Sequence, residues 1–326
     1  MHSHSTTAAT TSNSDNGQAH GDELFALFAE RLQSHIKAPQ LDEAAVKSIV
    51  DEAIADAKLP RPVVVQLPDG QTHEIDGIVH QAFEEILALI EEGATNIYIV
   101  GPAGTGKTTL AKQVAKALGR QFGMISLSAG VTETHLFGRL LPQADGTWKH
   151  QPSRFVDVYE NGGVFLLDEL DSADANVMVS INAALANGVM ANPNGQLHER
   201  HADTIIIAAA NTFGRGADAV YVGRNALDGA SLDRFVLHTV EVDYDADLER
   251  SIAHGICGAD KADEADELLR WVWDVRAKAA ACRLRRIVST RVVENGAKAI
   301  AAGRSLDAIK ARFFRGWSAE EIAKVA

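Results

Sequence analysis

Cysteine is nearly absent from this chain of 326 residues, which holds only two. Because Cys257 and Cys282 lie far apart and form no C-x-x-C arrangement, the sequence excludes a disulfide framework and a zinc ribbon. Long apolar runs are also missing, since those at 164–167 and 205–210 fall far below the ~20 residues that a membrane helix needs. We therefore expect no membrane association and a protein that works in the reducing cytoplasm.

Positive charge is also scarce, because 31 Lys and Arg face 44 Asp and Glu, a formal net charge of −13. A chain with this balance is not a general binder of polyanions. Residues 276–315 depart from it with eleven basic and two acidic side chains. That stretch could bind nucleic acid or dock on the acidic body of a neighbouring copy, and its helical spacing of aromatic residues favours docking.

The chain divides into four regions by composition and periodicity. Residues 1–21 predict a disordered tail, and residues 22–76 predict two amphipathic helices and a β-hairpin. Residues 77–243 alternate apolar strands with helices, which is typical of a parallel sheet covered on both faces. From 244 to 326 the pattern is helical only, with predicted stops at Gly255, Gly303 and Gly316. The predicted fold class is therefore α/β with a C-terminal helical subdomain.

A glycine-rich motif stands between a predicted strand at 96–100 and a predicted helix at 107–118 and fits G-x-x-x-x-G-K-[ST]. Its residues, called the phosphate loop below, are Gly101, Pro102, Ala103, Gly104, Thr105, Gly106, Lys107, Thr108 and Thr109. In such a loop the backbone N–H groups cradle phosphates, Lys107 reaches the β and γ phosphates, and the Thr108 hydroxyl ligates Mg²⁺. The motif predicts a nucleotide site, against the alternative of a glycine-rich turn that only caps a helix.

Two acids, Asp168 and Glu169, directly follow a strand predicted at 164–167. In open α/β sheets, ligands bind at the carboxyl ends of strands. We therefore expect Asp168 to hold Mg²⁺ together with Thr108, and Glu169 to polarise a water towards the γ-phosphate. Acids after a strand are ordinary loop residues in most proteins. The pair indicates a nucleotide site only because the phosphate loop precedes it in the chain.

From about residue 97 to 291 the chain resembles an AAA+ ATPase, and within that superfamily the MoxR and cobaltochelatase ATPase-subunit group. The resemblance implies a P-loop NTPase with a parallel sheet flanked by helices and a C-terminal helical lid. It also implies an ATPase that uses ATP and Mg²⁺ and assembles into a ring of its own copies. A hexamer is the family expectation.

The resemblance also assigns roles beyond the two nucleotide motifs. Asn211, after a strand predicted at 204–209, is similar to the sensor 1 residue that helps to position the attacking water. Arg234, in Leu-Asp-Arg-Phe, resembles the arginine finger that reaches a neighbour's nucleotide, and Arg224 is a candidate for a second arginine acting in trans. Arg291, in Ser-Thr-Arg, resembles the sensor 2 arginine that touches the γ-phosphate in cis. The alternatives are a strand cap for Asn211 and surface ion pairs for the arginines.

Three aromatic residues are candidates for gripping a substrate in the pore of the ring, namely Phe137, Trp148 and Tyr221. Residues 127–148 resemble the helix 2 insertion of the subgroup, and residues 212–225 resemble its sensor loop. An exposed aromatic ring can hold an extended chain by apolar contact. Each of the three could equally be a core or hairpin residue.

The function predicted from the sequence is ATP-driven remodelling of a macromolecule. A protein client is favoured, and a protein carrying a von Willebrand A domain is one candidate partner. A nucleic-acid-stimulated motor is the first alternative, because the C-terminal region is basic. A nucleotide-switched scaffold with little turnover is the second. Glu169 argues against the scaffold, since a switch has no need of a water-polarising acid.

Overall fold

The computed structural model describes residues 63–66, 72–75, 78–191 and 195–326. The tail predicted at 1–21 and the helices predicted between 22 and 57 lie outside these residues. The strands are β1 (Val63–Gln66), β2 (Thr72–Ile75), β3 (Asn96–Val100), β4 (Phe122–Ser126), β5 (Arg139–Pro142), β6 (Trp148–Gln151), β7 (Gly163–Asp168), β8 (Val189–Ala191), β9 (Leu197–Glu199), β10 (Thr204–Ala210) and β11 (Thr239–Glu241). The helices are α1 (Ala82–Glu91), α2 (Lys107–Ala117), α3 (Glu133–Phe137), α4 (Arg154–Asn161), α5 (Ala175–Asn187), α6 (Gly229–Asp233), α7 (Ala246–Cys257), α8 (Ala262–Ala281), α9 (Thr290–Ala301), α10 (Leu306–Phe313) and α11 (Ala319–Val325).

A parallel sheet forms the centre of the described region, with the strand order β11-β3-β10-β7-β4. Ile207 of β10 pairs with Ile97 of β3 on one side and with Leu166 of β7 on the other. Because all these strands run in the same direction, the loops after β3, β10 and β7 leave the sheet at one edge. This order places the phosphate loop, Asn211 and the acid pair next to one another.

Both faces of the sheet are buried, and β10 shows why its sequence is apolar throughout. Successive strand residues point to opposite faces, so Ile205 and Ile207 enter one core, whereas Ile206 and Ala208 enter the other. The helices α1 and α2 cover the first face, and α4 and α5 cover the second. Full burial of a large aliphatic side chain stabilises a fold by about 1.5–3 kcal/mol, so this strand contributes to both cores.

The helices α7 to α11 pack around a separate core, which we call the helical subdomain. Gly296 of α9 allows a close helix contact, because a Cβ there would lie 2.8 Å from the side chain of Leu268 on α8. The predicted helix stop at Gly255 is wrong. The helix α7 continues through this exposed position to Cys257, and Gly258, with φ of +77°, follows it. A helix interior tolerates glycine at a cost of about 1 kcal/mol.

The predicted fold class, an AAA+ P-loop NTPase fold with a helical C-terminal region, is confirmed. The hairpin of β1 and β2 and the main alternation of strands and helices also lie where the sequence predicts them. The division of the chain at residues 77 and 244 stays a prediction. Within the described ranges, no helix is both long and apolar enough to cross a bilayer.

Candidate active site

The phosphate loop connects β3 to α2 through two glycines with positive φ. Gly104 and Gly106 have φ of +81° and +93°, in the left-handed region that disfavours residues with a Cβ. A Cβ at Gly104 would also lie 2.5 Å from the Cβ of Ser289, so the helical subdomain contacts the loop here. The first N–H groups of α2 have no intrahelical acceptors, and they make this end of the helix an anion site.

Lys107 lies at the start of α2 with its side chain folded back over the loop. Its Nζ donates to the carbonyl oxygens of Gly101 at 2.6 Å and Pro102 at 2.9 Å, and to Oδ1 of Asn211 at 3.0 Å. Burial lowers the pKa of Lys107 to about 8, although the carboxylate of Asp168 partly opposes the shift. The ammonium group is thus poorly hydrated, so it loses little further hydration when it pairs with a phosphate.

The residues present fit a magnesium ion. Thr108 Oγ1 donates to Asp168 Oδ2 at 2.8 Å, so a hydroxyl and a carboxylate stand side by side at the end of β7. Oxygen ligands of this kind suit Mg²⁺, which binds through one or two carboxylates together with substrate phosphates. When bound between these two residues, the ion would offset the negative charge of the phosphates.

A cleft of about 660 Å³ brings the predicted nucleotide residues together. Its lining includes Lys107, Thr108, Asp168, Glu169, Asn211 and Arg291. Arg291 reaches it from the first turn of α9, and its Nη1 lies 3.9 Å from the position that a Cβ at Gly104 would take. The cleft therefore lies between the carboxyl edge of the sheet and the helical subdomain.

Part of the lining of this cleft is apolar, and the sequence analysis missed these residues. Ile78, Leu248 and Ile252 line it together with Gln113, whose Nε2 donates to the carbonyl oxygen of Ile78 at 2.9 Å. A cavity lined by both apolar and cationic side chains suits a molecule that joins a flat base to a chain of phosphates. The spacing of Leu248, Ile252 and Ile256 on one face of a helix was the available signal.

Residues 96–235 match the family model described as AAA domain (dynein-related subfamily). This part of the chain is an AAA domain. The prediction of an ATPase that uses ATP and Mg²⁺ is thereby confirmed.

Relatives of the AAA domain include much longer proteins. The Lon protease of Metamycoplasma arthritidis is 32% identical over 126 residues, 35% of this chain and 15% of that protein. Midasin of Dictyostelium discoideum is 31% identical over 144 residues, 43% of this chain and 2% of midasin. Lon protease 1 of Bacillus subtilis is 24% identical over 216 residues, 59% of this chain and 27% of that protein. The chain thus spans between 2% and 27% of these relatives.

A similar solved structure is NtrX from Brucella abortus in complex with ATP. It has a TM-score of 0.46 and 17% identity, and the match covers 88% of this chain and 61% of that chain.

Asp171 is a residue of the AAA domain that the sequence analysis missed. Its carboxylate is fully buried, and Oδ2 accepts hydrogen bonds from the N–H groups of Asn211 at 3.2 Å and Thr212 at 3.0 Å, and from Thr212 Oγ1 at 2.9 Å. Oδ1 accepts from Arg224 Nη1 at 3.2 Å. The local sequence shows only a third acid after β7, so its burial was not visible.

Arg224 is engaged within its own chain in this structure, and its action in trans stays a prediction. The side chain is only 14% exposed and pairs with Asp171, while its Nη2 lies 3.5 Å from Glu169 Oε1. It also donates to the hydroxyl of Ser172. These contacts leave the Arg224 guanidinium facing the acids of its own AAA domain.

Of the three predicted pore aromatics, Phe137 is wrong, whereas the pore role of Tyr221 stays a prediction. Phe137 is only 4% exposed and packs in the core against Phe155, so it cannot grip a substrate. Tyr221 lies at the phosphate loop, where its hydroxyl accepts a hydrogen bond from the N–H of Ala103 at 2.8 Å. Trp148 is 65% exposed on the hairpin of β5 and β6, and its pore role stays a prediction.

Arg234 lies outside the cleft, in the segment that follows α6. Its Nε donates to the carbonyl oxygen of Asn182 at 3.0 Å, and its Nη1 donates to that of Ala230. In the part of the chain that the structure describes, no carboxylate pairs with it, so the predicted alternative of a surface ion pair is not seen here. The neighbouring Val236 and Leu237 are exposed, Leu237 to 88%.

A second buried carboxylate organises the helical subdomain behind Arg291. Glu249 of α7 accepts hydrogen bonds from Trp273 Nε1 at 2.6 Å, from both terminal nitrogens of Arg276, and from Thr290 Oγ1 at 2.7 Å. Thr290 directly precedes Arg291 in the chain. The residue is fully buried, and the sequence analysis missed it as well.

Proposed function

We propose that this chain is the ATPase subunit of a ring-forming machine of the MoxR or cobaltochelatase ATPase-subunit type, which uses hydrolysis to remodel a protein client. The observation that supports the ATPase chemistry most directly is the convergence of six predicted residues on one cleft: Lys107, Thr108, Asp168, Glu169, Asn211 and Arg291. The proposed setting is the cytoplasm, with which the free thiols of Cys257 and Cys282 agree. The proposed ring is a hexamer, with a protein carrying a von Willebrand A domain as one candidate partner.

In this proposal each side chain has a separate task. Lys107 and the N–H groups of the phosphate loop bind the phosphates. Glu169 orients a water and takes its proton as the oxygen attacks the γ-phosphorus, and Asn211 holds the water's position. Arg291 binds the γ-phosphate from α9 and so couples the helical subdomain to the state of the nucleotide. The leaving group is the ADP oxygen.

Arg234 completes the site of a neighbouring copy. Among the described residues, its guanidinium donates to two carbonyl oxygens and makes no ion-pair contact with a carboxylate. The exposed side chains of Val236 and Leu237 beside it favour contact with another protein surface. A guanidinium supplied from a neighbour stabilises the charge of the transition state and makes hydrolysis depend on assembly.

The first test separates ATP binding from hydrolysis. Glu169→Gln should bind ATP as well as the parent and lose about 100-fold or more in kcat, because the amide cannot take a proton. Lys107→Ala should lose binding itself. Binding is measured by titration with a fluorescent ATP analogue and turnover by phosphate release. A Glu169→Gln protein with near-normal kcat would remove Glu169 from its proposed role.

The second test asks whether Arg234 acts on the nucleotide of a neighbouring subunit. Arg234→Ala should reduce turnover about 1,000-fold, and mixing it with Lys107→Ala subunits should restore part of the activity, since each variant retains the part that the other lacks. Arg120→Ala, which breaks an exposed pair with Asp203 elsewhere, is the matched control and should keep parental turnover. Mixtures no more active than their components would count against a finger in trans.

The nucleic-acid alternative has weaker support in the helical subdomain. Several of its basic side chains pair with acids: Arg276 with Glu249, Lys278 with Asp274, Arg286 with Glu321, and Lys298 with Glu294. The rings of Trp271, Phe313, Phe314 and Trp317 pack against one another and the core rather than forming a platform for bases.

Steady-state ATP hydrolysis across protein concentrations, with and without DNA, separates the three functions. Turnover that rises with oligomeric mass and ignores DNA supports a ring that acts on protein. Salt-sensitive stimulation by DNA supports the motor. Negligible turnover at every concentration, despite ATP binding, supports the scaffold.

A further inference from the structure

Asp171 and Arg224 have no task in the function proposed above, although Asp171 is fully buried and Arg224 is mostly buried beside Glu169 and Asn211. Burial of charged groups costs several kcal/mol per ion unless close partners compensate, so such a pair needs an explanation. We propose that Asp171 is a positioning residue for ATP hydrolysis, whose carboxylate sets the places of Asn211 through the main chain and of Glu169 through Arg224. The inference rests on the proposed roles of Glu169 and Asn211.

The first half of this arrangement involves one carboxylate oxygen. Asp171 Oδ2 accepts from the N–H groups of Asn211 and Thr212 and from Thr212 Oγ1. These bonds fix the backbone where β10 ends, and with it the side chain of Asn211. The Asn211 amide oxygen in turn accepts from Lys107 Nζ at 3.0 Å. The main chain beside the sensor residue is therefore held by a buried charge.

The second half involves the other oxygen. Asp171 Oδ1 pairs with Arg224 Nη1 at 3.2 Å, and Arg224 Nη2 lies 3.5 Å from Glu169 Oε1. The N–H of Asn225 donates to the carbonyl oxygen of Asp171 at 2.6 Å and fixes the backbone next to the arginine. The guanidinium thus bridges the buried acid and the acid that faces the cleft.

Glu169 needs such support because of its own backbone. Its φ of 56° lies in the left-handed region, which costs a residue with a Cβ about 1–2 kcal/mol. Residues in such conformations persist when the surroundings hold them, and they concentrate at functional sites. A direct contact from Arg224 to the Glu169 carboxylate would restrict where that side chain can place a water.

The substitution Asp171→Asn separates the hydrogen bonds to Asn211 and Thr212 from the ion pair with Arg224. One amide oxygen can still accept from Asn211 and Thr212, but the new NH₂ group faces the NH₂ of Arg224 and cannot pair with it. We expect kcat to fall about 10- to 100-fold, since a misplacement of about 1 Å can cost that much. The dissociation constant for ATP should stay within about threefold, because the phosphate loop is unchanged.

Arg224→Gln should give a similar loss of kcat, and the double variant should be no slower than either single one, because all three break the same link. Arg224→Lys, which keeps a charge near Glu169, should recover part of the turnover. Hydrogen exchange at residues 212–227 should become faster in Asp171→Asn and in Arg224→Gln. This readout does not depend on activity.

The matched control is Arg200, another guanidinium held by several acceptors. It donates to Asn96 Oδ1 at 2.8 Å and to the carbonyl oxygens of Thr95 and Thr204, near the amino ends of the sheet strands. Arg200→Gln should lower the midpoint of thermal unfolding and leave the kcat of the folded protein unchanged. A loss of kcat equal to that of Arg224→Gln would show that the effect is only structural and would overturn the inference.

The remaining outcomes separate the two proposals. If Glu169→Gln abolishes turnover while Asp171→Asn and Arg224→Gln keep parental kcat, the positioning role is wrong and the proposed function stands. If Glu169→Gln turns over normally, the proposed chemistry itself fails. If Asp171→Asn does not fold, Arg224→Gln and Arg224→Lys test the positioning role instead. Parental kcat in both variants would overturn that role.

Discussion

Two fully buried carboxylates, Asp171 and Glu249, lie behind opposite walls of the nucleotide cleft, and they differ in what they hold. Asp171 follows a strand of the sheet and binds backbone N–H groups, a hydroxyl and one guanidinium. Glu249 lies in a helix, and its partners within the described part of the chain are side chains of α8 and α9. The first fixes a loop beside the reacting atoms, whereas the second joins three helices to one another.

This difference predicts different consequences for the two regions. A loop displaced by less than about 1 Å can lose its chemistry while the fold survives. Helices that share one buried charge lose mutual packing when that charge is removed, because an unpaired guanidinium is left inside. We therefore expect substitutions at Asp171 to act mainly on kcat and substitutions at Glu249 to act mainly on stability.

The largest expected effect on stability follows from Glu249→Ala. It leaves the partly buried guanidinium of Arg276 without its counterion, and we expect the free energy of unfolding to fall by about 3–5 kcal/mol. Urea unfolding monitored by tryptophan fluorescence measures the change. Glu320→Gln, which breaks an exposed pair with Lys324, is the control and should cost at most about 1 kcal/mol. Equal losses in the two variants would contradict the comparison.

A smaller effect is expected from Thr290→Val, which removes one donor from Glu249 next to Arg291. Hydrogen bonds to charged groups contribute about 1.5–3 kcal/mol, so stability should fall within that range. If Glu249 also places Arg291, the affinity for ATP should fall too, by about fivefold. Calorimetric titration measures this, and unchanged affinity would restrict Glu249 to a purely structural task.

Tyr244→Phe tests the link between the helical subdomain and the phosphate loop. The Tyr244 hydroxyl donates to the carbonyl oxygen of Ala103 at 3.0 Å, and Arg276 stacks on its ring at 3.9 Å. Loss of the hydroxyl should cost about 0.5–1.5 kcal/mol of stability and weaken ATP binding slightly.

Tyr159→Phe is the control for this prediction, because it removes a similar bond to the carbonyl oxygen of Ala184 away from the cleft. It should cost the same stability and leave the affinity for ATP unchanged. Equal affinity for ATP in the two variants would show that the Tyr244 hydroxyl does not affect nucleotide binding at the phosphate loop.

The smallest effect concerns the partly exposed carboxylate of Glu321. Hydrogen bonds from Arg286 and from the N–H of Ser318 lower the pKa of Glu321 to about 2. Its pKa in the unfolded chain is higher, so its contribution to stability is present above about pH 4.3 and is lost as the pH falls towards 2. Glu321→Gln should reduce the difference in unfolding temperature between pH 6 and pH 3. An unchanged difference would contradict this assignment.

The sequence was informative where one local pattern suffices. The strand 96–100 could be placed from its apolar run, and the phosphate loop and acid pair could be placed from their order along the chain. Glu249 was within reach as well, because Ala253 and Cys257 follow it at helical spacing and share its buried face.

Other features depend on contacts between distant segments, which no local pattern records. Asp171 gains its role from Asn211 and Arg224, 40 and 53 residues away in the chain. Phe137 and Tyr221 are aromatic residues in loop-like contexts, and only packing decides that the first enters a core and the second meets the phosphate loop. The short strand β11 likewise forms only because β3 offers it an edge.

The position of β3 in the sheet has a consequence for synthesis on the ribosome. Its partners are β10 and β11, which begin more than 100 residues later in the chain. During translation, the strand that precedes the phosphate loop therefore emerges with both edges unpaired. These edges stay unpaired until β10 and β11 have been synthesised. An apolar strand with open edges is prone to join other chains, so we expect nascent protein halted before residue 204 to aggregate or to require a chaperone.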